Sequence, residues 1–502
     1  MKMHLANFVR FNARMHPDAI AVKASGEAIT YRQLDRSAAG SARALRNLGV
    51  RAGDRVLFIL PNSMRWVVLY QGIMQAGAVP VPVNPLLAGP ELAGIVRDCD
   101  PRLVLAGSKV IADLQAELSG IALHDLDREP ITLAEADPAP LPHAKADDVA
   151  VILYSSGSTG MPKGIELTHG GVFWNVQAFA FDLLKLSESD RCLTALPLSH
   201  VFGHTCVFSA FLFAGAQIVL PDRFDAPAFL KTIHDEKITV FMGVPTMYWT
   251  LLKEELPAHY DLSSWKACVA GGQALPEEVH RRFEEKFSVR ISEGFGMTEA
   301  SPSIANCRLW NAPRKLGSAG QPLFGVELRI VNEDGQDVPV GERGEIAISS
   351  PGLARGYFRQ PELTAKTFRD GWLYSGDIGY LDEDGFLYVV DRKKEMIITG
   401  GYNVYPREIE EIAHGVDGIF EVAAIGVPDE RLGERIVAFV VPLPGTGVTG
   451  GEFLDHCNNK LARYKVPREV RFVDTLPRNA TGKIDRIKLR AMGANRTPER
   501  SA

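Results

Sequence analysis

The stretch YSSGSTGMPKG, Tyr154 to Gly164, decides how the chain is read. It follows an apolar run, Val149-Ala150-Val151-Ile152-Leu153, whose length and β-branched content predict a buried strand. A strand opening into glycines, hydroxyls and one lysine suits a phosphate. Glycine lets the backbone approach, hydroxyls donate hydrogen bonds and the lysine adds positive charge. A Walker A loop needs a glycine before its lysine and a Ser or Thr after it. Here Pro162 precedes Lys163 and Gly164 follows, and Pro162 disfavours running straight into a helix. The dinucleotide fingerprint fails as well, because Gly157-Ser158-Thr159-Gly160 has the wrong glycine spacing. A flexible Gly/Ser linker is the bland reading; the strand before the loop and the Pro-Lys-Gly after it argue against it.

Around this loop the chain reads as an ordinary globular protein. Its 502 residues predict two or more domains, with 46% apolar and 23% charged residues. A net charge of −6 offers no support for nucleic acid or an anionic membrane as a partner. The longest apolar stretch, Cys206 to Leu220, is interrupted by Ser209 and Gln217 and reads as a buried helix-turn-strand, so no integral membrane segment is expected. The N-terminus lacks the apolar core of a signal peptide. Six cysteines (Cys99, Cys192, Cys206, Cys268, Cys307 and Cys457) lie scattered without a C-x-x-C pair, which predicts reduced thiols in a cytoplasmic protein and argues against zinc. Strand and helix patterns alternate over Thr30 to Leu48 (helix), Arg55 to Leu60 (strand), Ser63 to Ala76 (helix), Ala78 to Val83 and Leu103 to Ala106 (strands), giving an α/β class with parallel sheets. From Gly325 to Ile348 the texture turns to short β-segments broken by turns.

Four further stretches carry polar chemistry: EGFGMTE (Glu293 to Glu299), YSGDIG (Tyr374 to Gly379), DRKKEMIITGGYNVYPREIE (Asp391 to Glu410) and PRNATGKIDR (Pro477 to Arg486). Alone, each has an ordinary reading: a loop between strand and helix, a turn aspartate, a solvated charge run, an exposed lysine. Together and in this order with YSSGSTGMPKG, they resemble the motif set of the adenylate-forming superfamily. That superfamily includes acyl- and aryl-CoA synthetases, stand-alone adenylation domains and firefly luciferase, and the motifs are most similar to those of acyl-CoA synthetases. The departures are Ser155 and Ser158 where threonine is common, Phe295 for the commoner tyrosine, and Lys394 where many relatives have aspartate.

The resemblance implies a large N-terminal domain of parallel-rich α/β subdomains with a small β-barrel-like subdomain, and a small mobile C-terminal α+β domain. The boundaries expected are 1–391 (β-rich over about 322–391) and 392–502. It implies ATP, Mg²⁺ and coenzyme A as cofactors and a small carboxylic acid as substrate. Ser155, Ser156, Gly157, Ser158, Thr159, Gly160 and Lys163 would hold phosphates, with Lys163 on pyrophosphate. Gly272, Gln273, Ala274, Gly294, Phe295, Gly296 and Met297 would line the nucleotide site, Phe295 giving adenine a π-face. Thr298 would meet the α-phosphate and Glu299 would bind Mg²⁺ through oxygen. Asp377 and Arg392 would hold ribose, Lys394 would be the hinge, Gly400 and Gly401 would leave room for pantetheine, and Lys483 would be the adenylating lysine. His200, in LPLSHVFGH, would sit where carboxylate, acyl group and pantetheine meet, as base or gate; His204 could support it if the segment is helical.

Phe202, Phe208, Met242 and Met297 are candidates for the acyl pocket, with Gly271 to Gln273 and Gly294 as backbone walls; core packing is the competing reading for each phenylalanine and methionine. Two acid classes are disfavoured. The aspartate that holds an amino acid's α-amine is missing, and the arginine of malonyl-CoA synthetases is replaced by Gly294. The competing expectations are acyl loading onto a carrier-protein pantetheine, a luciferase-like oxygenase, and a nucleotide sensor without activity. The chain is expected to be a monomer or homodimer.

Overall fold

The apolar run before the opening loop forms the strand Val149–Ser155, which runs antiparallel to Lys163–Thr168, from Val149 opposite Thr168 to Ser155 opposite Lys163. The loop is therefore a hairpin connection and not a strand-to-helix turn, which explains how Pro162 is tolerated there. The computed structural model describes residues 4–87, 89–117, 120–131, 134–155, 162–310, 313–443, 445–478 and 483–494. Ser156, Gly157, Ser158, Thr159 and Gly160 lie outside the described residues.

The chain forms two compact units, Met1–Leu328 with Ile348–Leu373, and Arg329–Ala347 with Tyr374–Ala502. The first is built on a nine-stranded sheet. Its strand order is Gln321–Pro322, Ser303–Asn306, Arg290–Gly296, Ala267–Ala270, Val240–Gly243, Arg191–Leu193, Gln217–Leu220, Ile20–Ala24 and Glu27–Thr30. The interior pairings are parallel, from Arg290–Gly296 through to Ile20–Ala24. Both faces of such strands are covered, and the central Ala267–Ala270 and Val240–Gly243 are accordingly apolar and buried throughout. A second, all-parallel sheet contains Val79–Val83, Arg55–Ile59, Leu103–Ala106 and Leu123–Asp125.

Local sequence explains the helices that cover these sheets. Thr30 caps Tyr31–Asn47 in a capping box with Gln33. Ser63 caps Met64–Ala76, and Gly77 ends that helix at φ +81°, a left-handed cap that glycine adopts without strain. This helix is mostly apolar and buried apart from Arg65, with Trp66 stacked on Tyr70 and edge-on to Phe208. The stretch after Val201 is the predicted helix-turn-strand: a π-helical Phe202–Ser209, Ala210–Ala214, and the strand Gln217–Leu220. No helix among the described residues is long and apolar enough to cross a membrane, and all six cysteines are buried free thiols.

The second unit carries the sheet Tyr402–Val404, Ile397–Thr399, Gly433–Pro442 and Ile419–Asp429, with Glu469–Phe472 added parallel to Gly433–Pro442. The helices Pro406–Ala413, Gly450–Lys460 and Arg486–Ala494 accompany it. Short strands Glu327–Val331 and Gly344–Ser349 occupy the region where the sequence texture becomes β-rich.

Gly320, at φ +83°, is packed so tightly that a Cβ would stand 1.9 Å from the carbonyl carbon of Asn306 and 2.2 Å from the nitrogen of Cys307. Neither neighbour is a side chain that can turn away. Gly320→Ala should lower stability by about 3 kcal/mol or more. An unchanged urea midpoint would contradict this packing.

Candidate active site

Three neighbouring parallel strands reach one edge in register, where Gly243, Ala270 and Glu293 align. The carboxyl ends of strands in an open α/β sheet are where ligands bind. Glycines keep this edge open: the ring of Phe202 lies 3.2 Å from where a Cβ on Gly271 would stand, and Asn306 Nδ2 is 2.0 Å from that of Gly294. Gly272 and Gly296 are exposed, and Gln273, Ala274, Gly294, Phe295, Met297, Thr298 and Glu299 are half-buried, so the nucleotide residues expected here form one accessible lip. Phe208 and Met242, in contrast, lie in the apolar core.

Two side chains that sequence reasoning passed over hold this lip in place. Buried Glu293 accepts a hydrogen bond from the nitrogen of Leu275 (2.9 Å) through Oε1, and its carbonyl accepts one from Cys307 (2.8 Å). It therefore ties the segment Gly271 to Leu275 to the strand that carries Phe295. Tyr357 donates its hydroxyl proton to Glu299 Oε1 (2.8 Å), and Lys163 Nζ lies 5.7 Å from its ring centroid. Burial, and then the Glu299 carboxylate, push the Tyr357 hydroxyl up, so it stays a donor. Glu299 sits in the 3₁₀ turn Thr298–Ala300, its carbonyl held by the nitrogen of Ala354 (2.8 Å). Its second oxygen has no protein partner among the described residues. One carboxylate oxygen beside substrate phosphates is an ordinary donor set for Mg²⁺, so Glu299 fits that ion. Ser155 lies opposite Lys163 where the loop hairpin closes.

The two histidines part company. His200 is half-buried; its Nδ1 accepts from the nitrogen of Phe202 (3.3 Å), which puts the proton of a neutral ring on Nε2. The segment is helical from here on, with the nitrogen of His204 donating to the His200 carbonyl (2.8 Å). His204 is nevertheless fully buried, between the Tyr70 hydroxyl (2.7 Å) and Thr205 Oγ1 (3.1 Å). The helix turns it into the core, so support from His204 for His200 is not what the packing provides.

In the second unit, Asp377 and Arg392 are directly opposite on paired strands, with Arg392 Nε 3.6 Å from Asp377 Oδ1. Exposed Lys394 lies in the short turn Lys393–Glu395. Gly400 and Gly401 form the two-residue turn between Ile397–Thr399 and Tyr402–Val404, with φ of +58° and +82°. Both central residues of such a hairpin turn need positive φ, so the turn itself explains the glycine pair. Lys483 is half-buried beside Ile484, which bridges to Arg478, and the nitrogen of Asp485 donates to the Pro477 carbonyl (2.8 Å).

Burial pulls His204 and His169 down to about 3 and His4 to about 4. The unfolded chain protonates these rings below about 6.5, while the folded first unit keeps them neutral. Their contribution is therefore present above that value and is lost as pH falls from about 6.5 towards 3 to 4. His204→Gln, which can still pair with Tyr70, should flatten the fall of the urea midpoint over that window. A slope equal to that of the wild type would mean that His204 is protonated in the folded state.

Comparison with known proteins agrees with this geometry. The family model described as AMP-binding enzyme matches residues 9–358, and that of the AMP-binding enzyme C-terminal domain matches 408–483. A feruloyl-CoA synthase from Amycolatopsis sp is 40% identical over 472 residues, covering 94% of this chain and 95% of that protein. A long-chain-fatty-acid–CoA ligase from Bacillus subtilis is 34% identical, covering 97% and 94%. The crystal structure of ATP-bound MatB from Rhodopseudomonas palustris superposes with a TM-score of 0.89 at 32% identity, covering 98% of this chain and 99% of that one. With family models spanning both of its parts and relatives matched over nearly their whole length, the chain belongs to the AMP-binding, adenylate-forming enzymes and is an AMP-forming acid–thiol ligase that uses ATP, Mg²⁺ and coenzyme A.

Proposed function

We propose that the acid is a bulky monocarboxylic acid, with aryl-alkenoic acids of the feruloyl type the first to test, and that the acceptor is the thiol of free coenzyme A. The observation that carries this reading is Gly294. It stands where a cationic side chain would meet a second carboxylate, and Asn306 already fills the space beyond its Cα. The 40% identity to a feruloyl-CoA synthase supports the aryl class. Six buried free thiols suit a reducing, cytoplasmic setting.

The acid's carboxylate attacks the α-phosphate of ATP, giving acyl-AMP and pyrophosphate. Negative charge spreads over phosphate oxygens as it does so, and the protein's task is positioning and electrostatic stabilisation. In this reading Lys483 and Thr298 contact the α-phosphate, Lys163 the departing pyrophosphate, Phe295 the adenine, and Asp377 with Arg392 the ribose. Glu299 would hold Mg²⁺, which would supply further neutralisation of phosphate charge. The part of the chain from 392 onward then turns about Lys394, taking Lys483 away and bringing the Gly400-Gly401 turn to the acyl group. There His200 lines the path by which the thiol reaches the carbonyl carbon, AMP being the leaving group.

Lys483→Ala separates the two half-reactions. It should slow pyrophosphate release by about 10²–10³-fold, the usual cost of losing one stabilising donor. Thioester formation from supplied acyl-AMP should persist. Loss of both half-reactions would contradict the proposed alternation.

A further inference from the structure

Asn306 is a buried amide whose oxygen no group among the described residues uses. It ends the strand Ser303–Asn306 at 3% exposure, and its Oδ1 lacks a hydrogen-bond partner among the described residues. An orphaned buried acceptor costs about 1–3 kcal/mol, so such a group calls for a partner that the described residues do not provide.

Its position shows where that partner comes from. Asn306 lies directly opposite Gly294 across an antiparallel pair, and paired residues present their side chains on the same face. A Cβ on Gly294 would be 2.0 Å from Nδ2 and 2.7 Å from Cγ of Asn306, so the amide occupies the volume that a side chain at 294 would take. Gly294 is half-exposed while Asn306 is covered, which puts the amide just behind accessible backbone. The face is identifiable too. Ile291 packs in one cluster with Phe283, and Glu293 Oε2 lies 3.9 Å from His280 Nδ1, so both point to the helix Glu277–Phe287. By alternation Gly294 faces the other way, the side on which Val269, Met242 and Phe202 pack.

We propose that Asn306 is a specificity-determining residue whose amide recognises a hydroxyl group on the acyl part of the substrate, the hydroxyl donating to Oδ1. This rests on reading Gly294 as a wall of the acid site. The substrate class is thereby a hydroxylated carboxylic acid. A site built to pair with a hydroxyl discriminates against the analogue lacking it, because its buried polar group is then left alone. A mere difference in bulk would discriminate far less.

The test measures kcat/KM for pyrophosphate release with matched acids: cinnamic acid against its 2-, 3- and 4-hydroxy derivatives, and decanoic against 10-hydroxydecanoic acid. The wild type should favour at least one hydroxylated acid over its parent by about 10-fold or more, in keeping with one buried hydrogen bond. Asn306→Leu, of similar volume, should bring that ratio to within about 3-fold of unity by slowing the hydroxylated acid and sparing or speeding the parent, a pattern that general damage to the fold would not produce. Asn306→Ala serves if the leucine variant does not fold. Equal turnover of parent and hydroxylated acids by the wild type, as would follow if a bridging water satisfies Oδ1, overturns the proposal and leaves the ligase reading standing. A preference that survives in the variants overturns it as well. Pyrophosphate release with none of these acids would overturn the bulky-acid reading together with it.

Discussion

Close approach of backbone to its neighbours at the carboxyl ends of the parallel strands is the constraint on which the first unit depends. At Gly271, Gly294, Gly296 and Gly320 the space beside Cα is taken by the Phe202 ring, the Asn306 amide, the Pro302 carbonyl and the backbone of Asn306 and Cys307. At Gly296 and Gly320 a side chain would meet backbone and push apart segments that must touch, while Gly271 and Gly294 are crowded by neighbouring side chains. The same absence of side chains leaves a lip of accessible backbone between Gly272 and Glu299. One packing requirement thus produces both a closed sheet edge and an open ligand edge. Buried Glu293 locks the two, because its carboxylate holds one segment of the lip and its carbonyl the returning strand.

In the second unit a buried charge ties several elements together. Arg486 has a side chain only 17% exposed, and it bonds Glu395 (2.9 Å), Glu410 (2.8 Å) and the Ala424 carbonyl (2.6 Å). A guanidinium buried this deeply is tolerated only with its donors satisfied. The bonds join the turn that carries Lys394, the helix Pro406–Ala413, the edge strand Ile419–Asp429 and the start of the last helix, just beyond Lys483. Asp391 lies in the same surroundings and burial pushes its carboxyl up to about 6. The lysine expected to act in adenylation and the residue expected to act as hinge are therefore fastened to one ion network within one unit.

Much of this was legible in the sequence, for identifiable reasons. Strong local signals locate the elements: Ser63 and Gly77 around a mostly apolar helix, and the apolar run ahead of the loop. Five motifs in order identified the family. What escaped depended on partners distant in sequence. Nothing local marks Tyr357 as the partner of Glu299, and only pairing of the strands reveals that Gly294 and Asn306 compete for one space. The spacing of His204 from His200 fits a shared helical face, but Tyr70, far away in sequence, draws His204 into the core. The Gly400-Gly401 pair has a local reason of its own, since a two-residue hairpin turn with positive φ at both positions favours glycine whatever else passes beside it.

The chemistry assigned to the chain requires that ATP be cleaved between its α- and β-phosphates and that AMP be carried on the acid before the thiol arrives. A rapid-quench experiment with ATP labelled at the α-phosphate, a hydroxylated aryl acid and no coenzyme A tests this most directly. The account predicts a burst of enzyme-bound acyl-AMP with an equal amount of pyrophosphate, discharged to AMP and thioester when coenzyme A is added. Labelled ADP in place of acyl-AMP, or no cleavage until the thiol is present, would contradict it.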